Sequence, residues 1–139
     1  MKTAKQILLI AFLLLQSIPA LAANWELVGE LSNGDQWYIE TESLRRKANS
    51  VECWVSTNFA QPQTENNSNK IYQSNSAFCS YDCDNWTTRA YDLIYYSEKN
   101  RSGEVVRSLT DEKGFQTRVV PGSISEALMK FACKLSKKK

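Results

Sequence analysis

Hydrophobic and polar positions alternate along most of this chain, and the alternation stops only near its end. From Trp25 to Leu31, Trp25, Leu27 and Leu31 share one parity. Trp37 and Ile39 resume the pattern after Asn33-Gly34. Asn-Gly between two such runs predicts a β-hairpin. Residues 41 to 50 carry one apolar anchor, Leu44, among Arg45, Arg46 and Lys47, which reads as a connection. Val51, Cys53, Val55, Thr57 and Phe59 then alternate against Glu52, Trp54, Ser56 and Asn58, the clearest strand in the sequence. Residues 61 to 69 hold no apolar side chain and predict an exposed loop.

Extended character returns over Lys70–Tyr81, and Asp82-Cys83-Asp84-Asn85 marks a turn. Between Trp86 and Ser97 apolar residues occupy both parities, as in a strand covered on both faces. Residues 100 to 103 turn the chain into Val105–Leu109. Residues 111 to 114 turn it again into Phe115–Val119. The period then changes to that of a helix. Pro121-Gly122 breaks the strand, Ser123 and Glu126 form a Ser-x-x-Glu capping box, and Ile124, Ala127, Leu128, Phe131 and Leu135 fall on one stripe. Cys133 lies off that stripe and reads as a tether. The fold expected is α+β: one antiparallel sheet of six to seven strands in meander order, with a single C-terminal helix packed on one face and tied down by a disulfide.

The first 22 residues have a different pattern. Lys2 and Lys5 precede an apolar run from Ile7 to Leu15, and Ala20-Leu21-Ala22 supplies small residues at a cleavage site, so residues 1–22 read as a secretory signal peptide and residues 23–139 as one mature domain. No cysteine follows the expected cut until Cys53, so a lipid anchor is not expected. The product is expected in the periplasm, secreted or at the cell surface. Of 17 basic residues, loss of Lys2 and Lys5 leaves 15 against 15 acidic ones, a balance unsuited to nucleic-acid binding.

Export also governs the four cysteines, which in an oxidising compartment favour disulfides. Cys79 and Cys83, if extended, stand about 13 Å apart, too far to bond to each other. Folding Val51–Phe59 back on Lys70–Tyr81 about Asn66 sets Cys53 opposite Cys79. The favoured pairs are therefore Cys53 with Cys79 and Cys83 with Cys133. The chain has no histidine, which removes Ser-His-Asp and Cys-His catalysis and His-ligated zinc. Glu40 with Glu42, and Asp82 with Asp84, sit at turns without the apolar surroundings that tune catalytic carboxylates. No enzymatic activity, cofactor or metal is expected.

Along nearly its whole length the mature chain resembles the bacterial surface-adhesin protein E family. The resemblance rests on Trp25-Glu-Leu-Val-Gly29, Tyr38-Ile-Glu40, Ser43-Leu44 with its basic turn, and the Trp of Val51–Val55. It continues through Tyr72-Gln-Ser74, Tyr81-Asp-Cys83, Tyr95-Tyr96-Ser97 and Val120-Pro-Gly-Ser123 with Glu126, Leu128 and Cys133. It implies a six-stranded antiparallel sheet with a disulfide-tethered C-terminal helix. It also implies binding to host proteins such as laminin, vitronectin or plasminogen, and homodimer formation. A periplasmic accessory protein with bacterial partners is the alternative. Because Trp54, Tyr38, Ile94 and Tyr96 lie off the main apolar parities of their strands, the outer sheet face together with Arg45, Arg46 and Lys47 is the expected protein-binding surface.

Overall fold

The structure is a computed structural model and describes residues 23–137. The expected signal peptide lies outside the described residues. Seven antiparallel strands form one sheet: β1 (Trp25–Glu30), β2 (Gln36–Glu40), β3 (Arg45–Lys47), β4 (Ser50–Thr64), β5 (Ile71–Asp82), β6 (Thr87–Tyr96) and β7 (Val105–Arg118). Their order is β1-β2-β4-β5-β6-β7, with β3 paired to the start of β4 beyond the end of β2. Helix α1 (Ile124–Leu135) follows and lies over β1, β2, β4 and β5. Among the described residues the meander and the single C-terminal α-helix agree with the reading of the sequence.

The core is the layer between α1 and one sheet face. Val51, Cys53 and Val55 of β4, Cys79 and Tyr81 of β5, and Ile39 of β2 meet Leu128, Met129 and Ala132 of the helix. Leu44, the single apolar anchor of its segment, is buried among them. At its N-terminus α1 is capped by the Ser123 hydroxyl, which accepts from the Glu126 N–H at 3.3 Å. The Glu126 carboxylate reaches back to the Gly122 N–H at 2.6 Å. The first satisfies a backbone donor that the helix leaves unpaired, and the second ties the residue before the N-cap to the first turn.

The buried face of α1 is rotated from the expected stripe. Met129 and Ala132 are buried, whereas Ile124, Ala127, Phe131 and Leu135 are only half-buried. Cys133, one turn beyond Met129, therefore sits at the flank of the buried face and not opposite it. From there it bonds Cys83 just past the end of β5, with Cα atoms 6.1 Å apart. The rotation and the disulfide agree with each other, since a helix tethered at 133 has that side toward the sheet.

Cys53 and Cys79 are cross-strand partners, as the folding-back argument expects. The turn centres beyond Asn66, and three extra residues in β4 absorb the difference: Asn58 faces Ser74 but Gln63 faces Tyr72. The expected bond is corrected, since both are free thiols, buried in the core. Directly opposed residues hold their Cβ atoms about 4.5–5.5 Å apart, while a disulfide needs about 3.5–4.5 Å. Burial pushes each thiol up to about 12, with Cys79 and Glu40 adding to the effect at Cys53. A thiol reagent at pH 8 is thus expected to label neither cysteine in the native protein and both in denaturant. Failure to label either in denaturant would contradict free thiols.

Four further expectations change. The β1–β2 hairpin forms, but its loop runs over Leu31–Asp35 with positive φ at Gly34 and not at Asn33, so it is not a two-residue type I′ turn. A bulge at Val28 gives that residue to the core and leaves Leu27 exposed. Residues 111–114 do not reverse the chain: β7 runs through them, bulging so that Ala90 faces Phe115 while Asp92 faces Thr110. Both halves of β7 pair with the same neighbour, which no turn would permit. β6 is the penultimate strand, half-buried throughout, and is not a central strand under the helix.

The polar segment 61–69 is mostly exposed, but it holds one buried carboxylate. Glu65 accepts from the Asn67 and Ser68 N–H groups at 3.0 and 2.7 Å and from the Ser68 hydroxyl at 2.8 Å, and it pairs with Arg107. The Ser68 hydroxyl and the Arg107 guanidinium, with those N–H groups, hold its carboxyl near 2 against an ordinary 4.5. A depressed folded-state value means that its stabilising effect is complete above about pH 4.5 and is lost as pH falls toward 2. Titration of the Glu65 side chain by NMR should show a midpoint well below pH 3. A midpoint near 4.5 would contradict this arrangement.

Candidate functional site on the helix-free face

Among the described residues the second face of the sheet carries no α-helix, and its covering comes from the β6–β7 connection. Lys99–Arg101 forms a short 3-10 turn that folds back over β4 and β5. Asn100 and Asn58 exchange two hydrogen bonds, of 2.7 and 2.8 Å, and the Arg101 N–H donates to the Ser74 hydroxyl at 3.0 Å. These contacts hold two successive residues in left-handed backbone, Asn100 at φ 58° and Arg101 at φ 62°. Asparagine tolerates that region, but arginine there costs on the order of 1 kcal/mol or more. The turn also buries Ser56, Ser74 and Asn58, which explains why so many polar residues on one sheet face are inaccessible.

The pinned turn carries Arg101 to one wall of an open cleft of about 410 Å³, walled also by Trp25, Trp54, Ile94 and Tyr96. The guanidinium carbon lies 4.0 Å from the Trp25 ring centroid, a stacked cation–π contact, and Nη1 donates to the Ser56 hydroxyl at 2.9 Å. Burial pulls its pKa below the usual arginine value, opposed by the nearby Tyr96 and Tyr38, yet a guanidinium remains charged at any physiological pH. The one carboxylate in the cleft wall, Glu40, accepts from the Asn24 and Glu42 N–H groups at 2.9 and 3.2 Å. Its pKa is lowered, with burial opposing those hydrogen bonds.

Trp54 extends the aromatic surface across the sheet. Its ring centroid is 5.4 Å from Phe78, which is 6.0 Å from Tyr91, so three neighbouring strands each contribute one ring. Arg45 and Lys47 pair with Glu52 and Ser50 of β4, the parity of Trp54, so the register puts both on this face and Arg46 on the other. All three basic residues are exposed. They form an edge strand, not a loop. Arg45 donates to the carbonyls of Glu42 and Leu44 at 2.8 and 2.9 Å, and Lys47 pairs with Glu52 at 2.9 Å.

The structure therefore brings Trp54, Ile94 and Tyr96 to one cleft and sets Arg45 and Lys47 on the same face. Trp25 and Arg101 are the residues that sequence reasoning missed. Trp25 shares the parity of Leu27 and Leu31 in the sequence, and the Val28 bulge leaves it on the helix-free face. Arg101 carries no sequence signal beyond a turn. Among the described residues there is no cluster of acidic, cysteine or histidine side chains that could hold a metal. No described helix is long and apolar enough to cross a membrane.

Solved structures similar to this fold include those of protein E. Haemophilus influenzae protein E superposes with a TM-score of 0.58 at 15% identity, covering 86% of this chain and 90% of that one. Protein E from non-typeable Haemophilus influenzae gives 0.58 at 14% identity, with 84% and 80% covered. A second crystal form of Haemophilus influenzae protein E gives 0.57 at 14% identity over 73% and 82% of the chains. At such identities the likeness speaks for the fold alone. A search of curated proteins finds no match. Residues 25–134 match the profile of surface-adhesin protein E, spanning β1 through nearly all of α1. The chain belongs to the surface-adhesin protein E family, a family of adhesin-like binding proteins.

Proposed function

We propose that this protein is an exported, non-enzymatic binding module that engages host extracellular proteins through the helix-free face of its sheet. The observation that carries this reading is the aromatic cleft. Trp25, Trp54, Ile94 and Tyr96 remain accessible on a rigid sheet while the opposite face is closed by a tethered helix. Rigid aromatic side chains give large contact area at low entropic cost and dominate binding hot spots. Arg45 and Lys47, on the same face, add local positive charge, which affects association rate and salt dependence more than final affinity. Residues 1–22 direct export and are removed. The partners that family membership suggests are laminin, vitronectin and plasminogen.

The test is saturable binding of mature protein to each of these three at physiological salt. Trp54→Ala is expected to weaken binding about tenfold or more, as for a hot-spot aromatic. The double substitution Arg45→Ser/Lys47→Ser should slow association a few-fold and flatten its salt dependence. Melting temperatures verify that both variants are folded. No saturable binding to any of the three would sink the host-protein reading and leave a binder of bacterial partners in its place.

A further inference from the structure

Arg101 is held at considerable conformational expense in a place where it is only partly satisfied. Its backbone is left-handed, its N–H is fixed by Ser74, and its guanidinium is stacked on Trp25 with one hydrogen bond, to Ser56. Among the described residues no carboxylate pairs with it. Glu40, in the same cleft, is occupied by backbone N–H groups. A guanidinium has five donors, so most of its fork stays open toward a cleft whose other walls are aromatic and aliphatic.

Such a site complements one particular chemistry, a carboxylate borne next to apolar groups. The carboxylate takes the planar fork in a bidentate bond, and the neighbouring apolar groups cover Trp54, Ile94 and Tyr96. We propose that the cleft recognises an acidic side chain flanked by apolar residues on a protein partner, with Arg101 as the residue that reads the carboxylate. An acidic sugar fits less well. Its hydroxyls need several open partners, whereas the Ser76 and Tyr96 hydroxyls are already bonded to each other at 3.1 Å. The proposal rests on the reading of this face as the contact surface, and adds the chemistry of what it contacts.

The experiment uses two blocked peptides, acetyl-Ala-Phe-Glu-Phe-Ala-amide and the same peptide with Gln for Glu. Each is titrated into mature protein while the Arg101 side-chain and Trp25 and Trp54 indole NMR signals are followed. The Glu peptide should shift all three saturably and bind at least tenfold more tightly than the Gln peptide. Arg101→Gln should reduce that ratio to about one, and Arg101→Lys, which keeps charge without the fork, should give an intermediate value. Equal binding of the two peptides to wild type, or an undiminished ratio in Arg101→Gln, overturns the proposal. So does a sialylated trisaccharide that moves the same signals at lower concentration than the Glu peptide. Capture of matrix proteins without Glu-over-Gln preference would overturn this inference alone. Preference without capture would overturn the host-protein reading alone.

Discussion

Replacing Cys83 and Cys133 together by Ser is expected to cost about 4 kcal/mol of stability, the chain-entropy value for a loop of this length. The bond spans a sequence separation of 50 residues and joins the end of β5 to the last full turn of α1. Without it, the unfolded chain regains the freedom of that loop while the folded core keeps most of its contacts. Domains of this size have about 5–15 kcal/mol in total, so the loss consumes much of the margin. A urea titration should show a lower midpoint, and thermal melting should fall by roughly 10–20 °C. Reduction of the native protein should reproduce the effect, because Cys53 and Cys79 hold no second bond to break. A loss under about 1 kcal/mol would mean that packing alone seats the helix.

The second large effect concerns a residue outside the sequence-derived stripe. Met129 is 3% exposed and packs in the layer between α1 and the sheet. Met129→Ala should cost about 2–5 kcal/mol, through lost transfer energy and an imperfectly closed cavity. Ala127→Ser, on the half-buried side that the stripe had favoured, should cost well under 1 kcal/mol. Equal costs for the two would place the helix in the orientation its hydrophobic pattern suggests. Denaturant midpoints of the two variants decide between them.

That contrast shows where sequence is informative and where it is not. The capping box at Ser123 and Glu126, the presence of the β1–β2 hairpin, and the register of Cys53 with Cys79 are local or nearly local features, and each can be read from residue order. The helix rotation cannot, because both orientations bury apolar side chains and the partner that Cys133 meets, Cys83, lies 50 residues away. Bulges are similarly hidden. The Val28 bulge inverts which residues of β1 face the core, and the one at 111–114 imitates a turn, since both need residues that tolerate irregular backbone. Glu65 with Arg107, and Asn58 with Asn100, join residues 42 apart that periodicity leaves unconnected. The cleft was half legible: Trp54, Ile94 and Tyr96 were marked by parity, but Trp25 and Arg101 arrive through a bulge and a folded-back turn.

The central claim is that partners dock on the helix-free face, and hydroxyl-radical footprinting tests it most directly. Mature protein is labelled alone and with saturating vitronectin, or with whichever of the three matrix proteins binds most tightly. Trp25 and Trp54 line the cleft, whereas Trp86 is 37% exposed beside Lys130 of α1 and serves as an internal reference. The account predicts several-fold loss of labelling at Trp25 and Trp54 with Trp86 unchanged. Protection of Trp86 with Trp25 and Trp54 still fully reactive would contradict it.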